Sequence, residues 1–435
     1  MKLAAIVLAT DQLSRVRIAG LTACERAVRV AKRVADRVFV VEDEASRAAL
    51  ATWRSVTKSS LLVIRADQLV HTGLVEPLLC ATRDAIAIVP EDAPVNDLTA
   101  GAYAGAFLVG DGSAGEVIEA LARGDSDVAI VAKLSDPQRI QHGEIARAPI
   151  GTREQRRTAH RLLYRILVKP QDNAITRYLY RPISMPLTKL LVWTPITPNQ
   201  ISCFVAALVA LGCWLTGHRD IELALLGTVL VLVASYVDCC DGEVARVKLM
   251  QSRFGAWIDT IVDELSSVGY MVALGWHCHQ YFGANYFGRI GFDPWVAATA
   301  IGIFTFVGCI YFVYYNIIVA VGSANSQDYV GRFEVVPGKQ PNTVRLAPAT
   351  TKAIATKDPL PQPLDFIATY LPYIVRRDFI CWAAVGFAAL HVTHAGFGTL
   401  VLGGIISFVI LSIDHIKLRS LRRSIERRGM AVEAP

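Results

Sequence analysis

The feature that most limits how this chain can fold is a change of character near residue 200. Upstream, short apolar runs alternate with charged stretches. Downstream come six apolar segments: Ile201–Gly217, Ile221–Cys240, Ile258–Trp276, Pro294–Val321, Asp378–His394 and Thr399–Ile416. Each is near the ~20 residues that carry an α-helix across ~30 Å of hydrocarbon. The mean hydropathy of +0.38 and a 53% hydrophobic content are too high for an ordinary soluble protein of 435 residues. The first half therefore reads as soluble and the second as membrane.

Charge placement orients the membrane half. The net charge of +6 is modest, but basic residues crowd two places. Arg153, Arg156, Arg157, Arg161 and Arg165 precede the first span, and Lys417, Arg419, Arg422, Arg423, Arg427 and Arg428 follow the last. Short loops on the opposite side carry little more than Arg219 and Arg289. The positive-inside rule puts both termini in the cytoplasm, which requires an even number of spans. Basic flanks beside membrane helices point to anionic headgroups rather than nucleic acid. The nine cysteines are scattered, mostly in apolar surroundings, as reduced thiols would be. His277-Cys278-His279 lacks a second ligand cluster and reads as ordinary side chains.

Residues 1–135 repeat a strand–helix rhythm, and the domain they build is expected to end near residue 150. Strands are expected at Leu3–Ala9, Arg37–Val41, Leu61–Ile64, Ala85–Val89, Gly105–Val109 and Val128–Val131, with helices at Cys24–Ala35 and Ala114–Ala122. The pattern predicts a three-layer α/β domain with a mostly parallel sheet. Residues 151–200 turn basic and helical, and the amphipathic piece Thr176–Leu191 is expected along the membrane surface. Residues 201–420 would then be the six-span domain and 421–435 a basic cytoplasmic tail. A polar stretch, Asn325–Arg377, is expected as a cytoplasmic loop between the fourth and fifth spans.

One segment carries the chemistry. Asp238-Cys239-Cys240-Asp241-Gly242-Glu243-Val244-Ala245-Arg246 is followed, eight residues on, by Gly255-Ala256-Trp257-Ile258-Asp259-Thr260-Ile261-Val262-Asp263. Asp238, Asp241 and Ala245 share one helical face, and Gly255, Asp259 and Asp263 share a face of the next helix. Two neighbouring helices can thus aim four carboxylates at one volume. Carboxylates so placed repel unless cations lie between them, and oxygen-only ligands suit Mg²⁺ or Mn²⁺. Ionisable groups among membrane helices are costly and mark functional sites. Arg246 could pair with a phosphate, or serve a lipid headgroup or a structural contact.

The segment resembles the signature of the CDP-alcohol phosphotransferase family, D-x-x-D-G-x-x-A-R-x8-G-x-x-x-D-x-x-x-D, at every specified position. The resemblance implies six membrane helices, a homodimer, and attack of an acceptor hydroxyl on the β-phosphorus of a CDP-alcohol with release of CMP. It implies Asp238, Asp241, Asp259 and Asp263 as the metal-site carboxylates around two ions, the first three as direct ligands, and Asp263 also as the general base. Gly242, Arg246 and Ser252 would contact CDP, with Ala245 and Gly255 allowing close approach. Thr197-Pro198-Asn199-Gln200 resembles the family's T-P-N stretch, whose Asn reaches the nucleotide. Arg376 and Arg377, opening the fifth span, could hold a phosphate on an alcohol or phosphoalcohol acceptor; positive-inside anchoring explains them equally well.

Upstream, Lys169-Pro170-Gln171-Asp172-Asn173, Thr176-Arg177 and Arg181-Pro182-Ile183-Ser184 resemble the lead-in of members fused to a sugar-nucleotide domain, the di-inositol phosphate phosphate synthases. In those an inositol-phosphate cytidylyltransferase precedes the membrane part. Here the loop Thr10–Arg15 has no glycine to cradle a triphosphate. Gly20-Leu21 and Glu25-Arg26 resemble the segment after that loop, and Asp67 resembles a metal-binding aspartate. A second carboxylate is missing near Ala146–Ile150. The domain is expected to be related to nucleotidyltransferases but not catalytic. A bifunctional enzyme that makes and uses CDP-inositol, and a non-catalytic membrane scaffold, are the alternatives. The expected location is the inner membrane, within the lipid bilayer.

Overall fold

A computed structural model describes residues 3–54, 59–95, 97–168, 174–288, 291–322, 329–338, 343–348 and 377–433. Two compact units emerge. Met1–Asp172, Met185–Ile196 and Glu243–Met250 make the first; Asn173–Ser184, Thr197–Gly242 and Gln251–Pro435 make the second.

The first unit contains strands β1 (Leu3–Leu8), β2 (Arg17–Ile18), β3 (Leu21–Thr22), β4 (Arg37–Val41), β5 (Ser60–Arg65), β6 (Gln68–Val70), β7 (Ala85–Ile88), β8 (Tyr103–Val109), β9 (Gln138–Gln141) and β10 (Arg147–Pro149). Its helices are α1 (Ala23–Val34), α2 (Glu44–Arg54), α3 (Asp111–Arg123), α4 (Asp127–Lys133) and α5 (Arg153–Tyr164). The main sheet runs β4-β1-β5-β8-β7-β9. β1 pairs parallel with β4 and β5, and β7 parallel with β9, whereas β8 is antiparallel to both its neighbours. The sheet is therefore mixed. Continuous apolar runs such as Leu3–Val7 and Leu61–Ile64 are buried because helices or loops cover both faces. A capping box starts α1: Thr22 Oγ1 accepts from the Glu25 N–H at 3.1 Å, and the Glu25 carboxylate accepts from the Thr22 N–H at 2.8 Å.

One expected strand is a helix. Val128–Val131 lies in α4, where Ser126 Oγ accepts from the Ala129 N–H at 3.2 Å. Four apolar residues in a row fit either element, and the Ser-Asp pair in front resolves the choice towards a helix start. The last sheet position goes instead to the polar β9, which sits at the edge with alternate residues turned outward.

The second unit is mainly helical, with α7 (Pro198–Thr216), α8 (Ile221–Val247, whose last turn belongs to the first unit), α9 (Arg253–Phe282), α10 (Pro294–Asn316), α11 (Arg377–Ala389) and α12 (Thr393–Arg427). Preceding them, α6 (Arg181–Leu191, which from Met185 onward belongs to the first unit) follows a π-turn at Thr176–Tyr180, and Tyr178, Ile183 and Leu190 expose large apolar surfaces along this piece. Among the described residues, four helices are long and apolar enough to cross a membrane: α7, α8, α10 with its π-turn extension to Val321, and α12. The expected third span falls in α9, whose first half carries Asp259, Asp263 and Glu264, and the fifth in the shorter α11. Part of the region expected as a loop is ordered sheet. β11 (Phe333–Pro337) and β12 (Thr343–Pro348) form an antiparallel pair, and β13 (Ala431–Val432) adds to β12 in parallel. Val344 and Leu346 pack there with Leu418 and Ile425 of α12.

In the first unit His71 is buried, and burial, reinforced by the charges of Arg26 and Arg33, pushes its pKa down to about 3. An unfolded His binds a proton below ~6.5 while the folded one stays neutral until about pH 3. Stability is therefore full above the unfolded value and is lost as pH falls through this window, by about 2 kcal/mol at pH 5. In detergent, wild-type protein should lose more thermal stability between pH 7.5 and pH 5 than His71→Asn. Equal losses would contradict this assignment.

Candidate active site

The two acidic helices meet as their spacing requires. Oxygens of Asp238 and Asp241 on α8 and of Asp259 on α9 all lie within 4.8 Å of one another. Asp241 is buried and the other two half-buried. Its carboxylate is held on both sides: Ser202 Oγ donates to Oδ2 at 2.6 Å, and the Gly242 N–H donates to Oδ1. Asp263, one turn beyond Asp259, is not in this triad. It lines a cavity of about 240 Å³ among the helices, together with Asp238 and Glu264. Away from those carboxylates the walls are mainly aliphatic and aromatic, as at Val209, Phe306 and Leu400, with scattered serines.

The expected nucleotide contacts fall into two groups. Asn199, Ser252 and Gly255 come together. Thr197, Pro198 and Gln200 build the N-terminus of α7: Thr197 Oγ1 accepts from the Gln200 N–H, and the Gln200 side chain accepts from the Thr197 N–H at 2.9 Å. Asn199 takes no part in that cap and is exposed. Ser252 caps α9 by accepting from the Gly255 N–H at 2.9 Å. A Cβ on Gly255 would lie 3.1 Å from Ser252 Oγ and 3.3 Å from Asn199 Oδ1, so glycine keeps this cleft open. Gly242 follows the buried aspartate, whereas Ala245 and Arg246 lie at the end of α8, in the segment that belongs to the first unit. Arg376 and the Arg377 side chain lie outside the described residues, as does Lys169–Asn173.

Sequence reasoning missed Ser202. It lies one turn after Asn199 on α7, and that i, i+3 spacing was the available signal. The His277-Cys278-His279 tract is not a metal cluster among the described residues. His277 Nδ1 lies 2.6 Å from the His218 carbonyl, Cys278 is buried, and His279 pairs with Asp293.

In the α/β unit, the glycine-free loop Thr10–Arg15 closes into a short 3₁₀ turn at Gln12–Arg15. Asp67 is ion-paired with Arg65. Where a second metal carboxylate would be needed, Arg147 donates to both oxygens of Asp97 at 2.7 Å and to Gln68 Oε1 at 2.8 Å.

Comparison with known proteins agrees with the geometry. Residues 195–357 match the CDP-alcohol phosphatidyltransferase family. The chain is 30% identical over 131 residues to a bifunctional IPC transferase and DIPP synthase of Aquifex aeolicus, covering 30% of this chain and 28% of that protein. Proteins of the same name match from Thermococcus kodakarensis, at 33% over 128 residues (29% of this chain), and Rubrobacter xylanophilus, at 35% over 123 residues (28% of this chain). In both cases the match spans 28% of the relative. The aligned part thus spans under a third of these relatives' length. The identifying similarity is therefore to the CDP-alcohol phosphatidyltransferase family, over residues 195–357.

Proposed function

We propose that the chain is an integral membrane phosphotransferase that moves the phosphoalcohol of a CDP-alcohol onto an acceptor hydroxyl and releases CMP, using bound Mg²⁺ or Mn²⁺. The observation that carries this reading is the convergence of Asp238, Asp241 and Asp259 to within 4.8 Å beside a cavity lined by Asp238 and Asp263. Carboxylates this close favour a divalent cation, and an all-oxygen donor set fits a hard one. The triad would hold two ions with Asp263 alongside; when bound, they supply the positive charge that stabilises departing CMP.

The chain's own groups do the rest. Asp263 takes the proton of the acceptor hydroxyl as the acceptor oxygen bonds to the β-phosphorus. The phosphorus–oxygen bond to CMP breaks, and CMP leaves with the electron pair. Ser202 and the Gly242 N–H hold Asp241 in one orientation. Asn199, Ser252 and Gly255 receive the nucleotide, with Gly242, Ala245 and Arg246 as further contacts. Arg376 and Arg377 are the candidates for an acceptor phosphate. Six spans with both termini cytoplasmic, an inner-membrane location, a homodimer and the domain division at 150, 200 and 420 complete the proposal, supported by apolar helices and flanking arginines.

Two donor classes are open, CDP-diacylglycerol and a soluble CDP-polyol such as CDP-inositol; the apolar cavity wall favours the first, an alcohol with a hydrophobic body as in phospholipid synthesis. The names of the relatives favour the second reading, a bifunctional enzyme with its own cytidylyltransferase step. The Arg65–Asp67 pair and the Arg147–Asp97 pair argue against that step.

Incubation of full-length protein with a panel of CDP-alcohols and acceptors should release CMP with one donor class, and EDTA should abolish release. Asp263→Asn should lower the rate by about 10²–10⁴-fold while Mn²⁺ binding persists; unchanged CMP release would remove the base assignment. Ser202→Ala should weaken Mn²⁺ binding, read by electron paramagnetic resonance, by roughly ten-fold; wild-type affinity would show that the serine does not orient Asp241. CTP with inositol phosphate should yield no pyrophosphate, and a measurable yield would establish the bifunctional reading.

A further inference from the structure

The C-terminal end of α8 is finished in an unusual way. A helix leaves its last carbonyls without partners inside the helix, and something else must satisfy them. Here the accounting closes. The Lys248 N–H donates to Val244 O at 2.8 Å, the Met250 N–H to Ala245 O at 2.8 Å and the Leu249 N–H to Arg246 O at 3.3 Å. The next two carbonyls are taken by α1: Arg26 Nη1 donates to Val247 O at 2.7 Å, and Arg29 Nη1 to Lys248 O at 2.7 Å. Guanidinium charge at a helix C-terminus is favourable in itself. Arg26 is fully buried, and its other terminal nitrogen donates to Ile18 O at 3.1 Å.

The backbone pattern at residues 245–250 is a Schellman closure, in which the left-handed position usually carries glycine. Leu249 occupies it, with φ +55°. A leucine there is strained where a glycine would not be. Its side chain shows what holds it: Leu249 is buried in the same apolar cluster as Ala27, Val30, Ala31 and Leu74 of the α/β fold. Lys248 Nζ donates to Thr194 O at 2.6 Å and Ile196 O at 3.0 Å, which ties in the segment leading to α7. Gly20, in the segment that resembles a nucleotidyltransferase, lies against that same stretch. Its φ is +80°, and a Cβ would meet Val192 O at 1.9 Å. All these contacts lie within one compact unit, which includes Met185–Ile196 and Glu243–Met250.

We propose that the α/β domain is a positioning clamp for phosphotransfer: Arg26, Arg29 and Leu249 fix the end of the helix that presents Asp238 and Asp241. They are positioning residues, two to three turns from the aspartates and acting through α8. The effect on catalysis rests on the phosphotransferase reading; the clamp itself does not.

Leu249→Gly separates the clamp from an ordinary helix cap. Glycine suits φ +55° better, so a purely local cap would be unchanged or firmer. Loss of the buried side chain would loosen a clamp. The full-length protein in detergent is compared with Leu249→Gly, Arg29→Ala and Arg29→Lys, first by size-exclusion profile. Hydrogen–deuterium exchange over residues 236–250 should quicken at least several-fold in Leu249→Gly and Arg29→Ala, with partial rescue by Arg29→Lys. Mn²⁺ affinity without nucleotide should fall by roughly three- to ten-fold. Wild-type exchange and affinity in both loosening variants would overturn the clamp. Should Leu249→Gly not fold, the Arg29 pair decides by the same readouts. Absence of Mn²⁺ binding in the wild type would overturn the phosphotransferase reading instead, with exchange still deciding the clamp.

Discussion

Carboxylates that share a few ångströms repel each other, and the helices around Asp238, Asp241 and Asp259 are arranged to sustain that proximity. The cost of burying Asp241 is offset by two donors, a serine hydroxyl and a backbone N–H, aimed at its two oxygens. Such a site is poised to take up cations, because ion binding relieves the repulsion that the fold imposes. Asp263 stands one turn away, outside the triad and on the cavity wall.

The cavity adds a second constraint. Its walls are mostly apolar, yet three carboxylates, Asp238, Asp263 and Glu264, reach it. Charges lining a space of low polarity interact more strongly than they would in water.

The α/β unit has a six-stranded mixed sheet with helices, and the positions singled out in its sequence are engaged within the unit. Asp67 is neutralised by Arg65, Arg147 occupies the place of a missing carboxylate, and Gly20 touches Val192. Two arginines of α1 donate to the carbonyls that end α8. A strained leucine in place of glycine is tolerated because its side chain completes a core.

Much of this was legible in the sequence. Five of six expected strands, the long apolar helices and the acidic signature follow from periods of two and 3.6 and from helix length, which are local properties. The sixth strand failed because four apolar residues carry no decisive period, and the edge strand β9 was too polar to announce itself. The β11–β12 pair lay hidden in a polar stretch for the same reason. By itself, the sequence determined the apolar second half and the facing of the four aspartates along their helices. Only the tertiary structure decided that three aspartates meet while Asp263 lines a cavity, that Ser202 braces Asp241, and that Leu249 and two arginines close α8. Those outcomes depend on which distant surfaces pack together, and contacts across some 40 to over 200 residues leave no period in the chain.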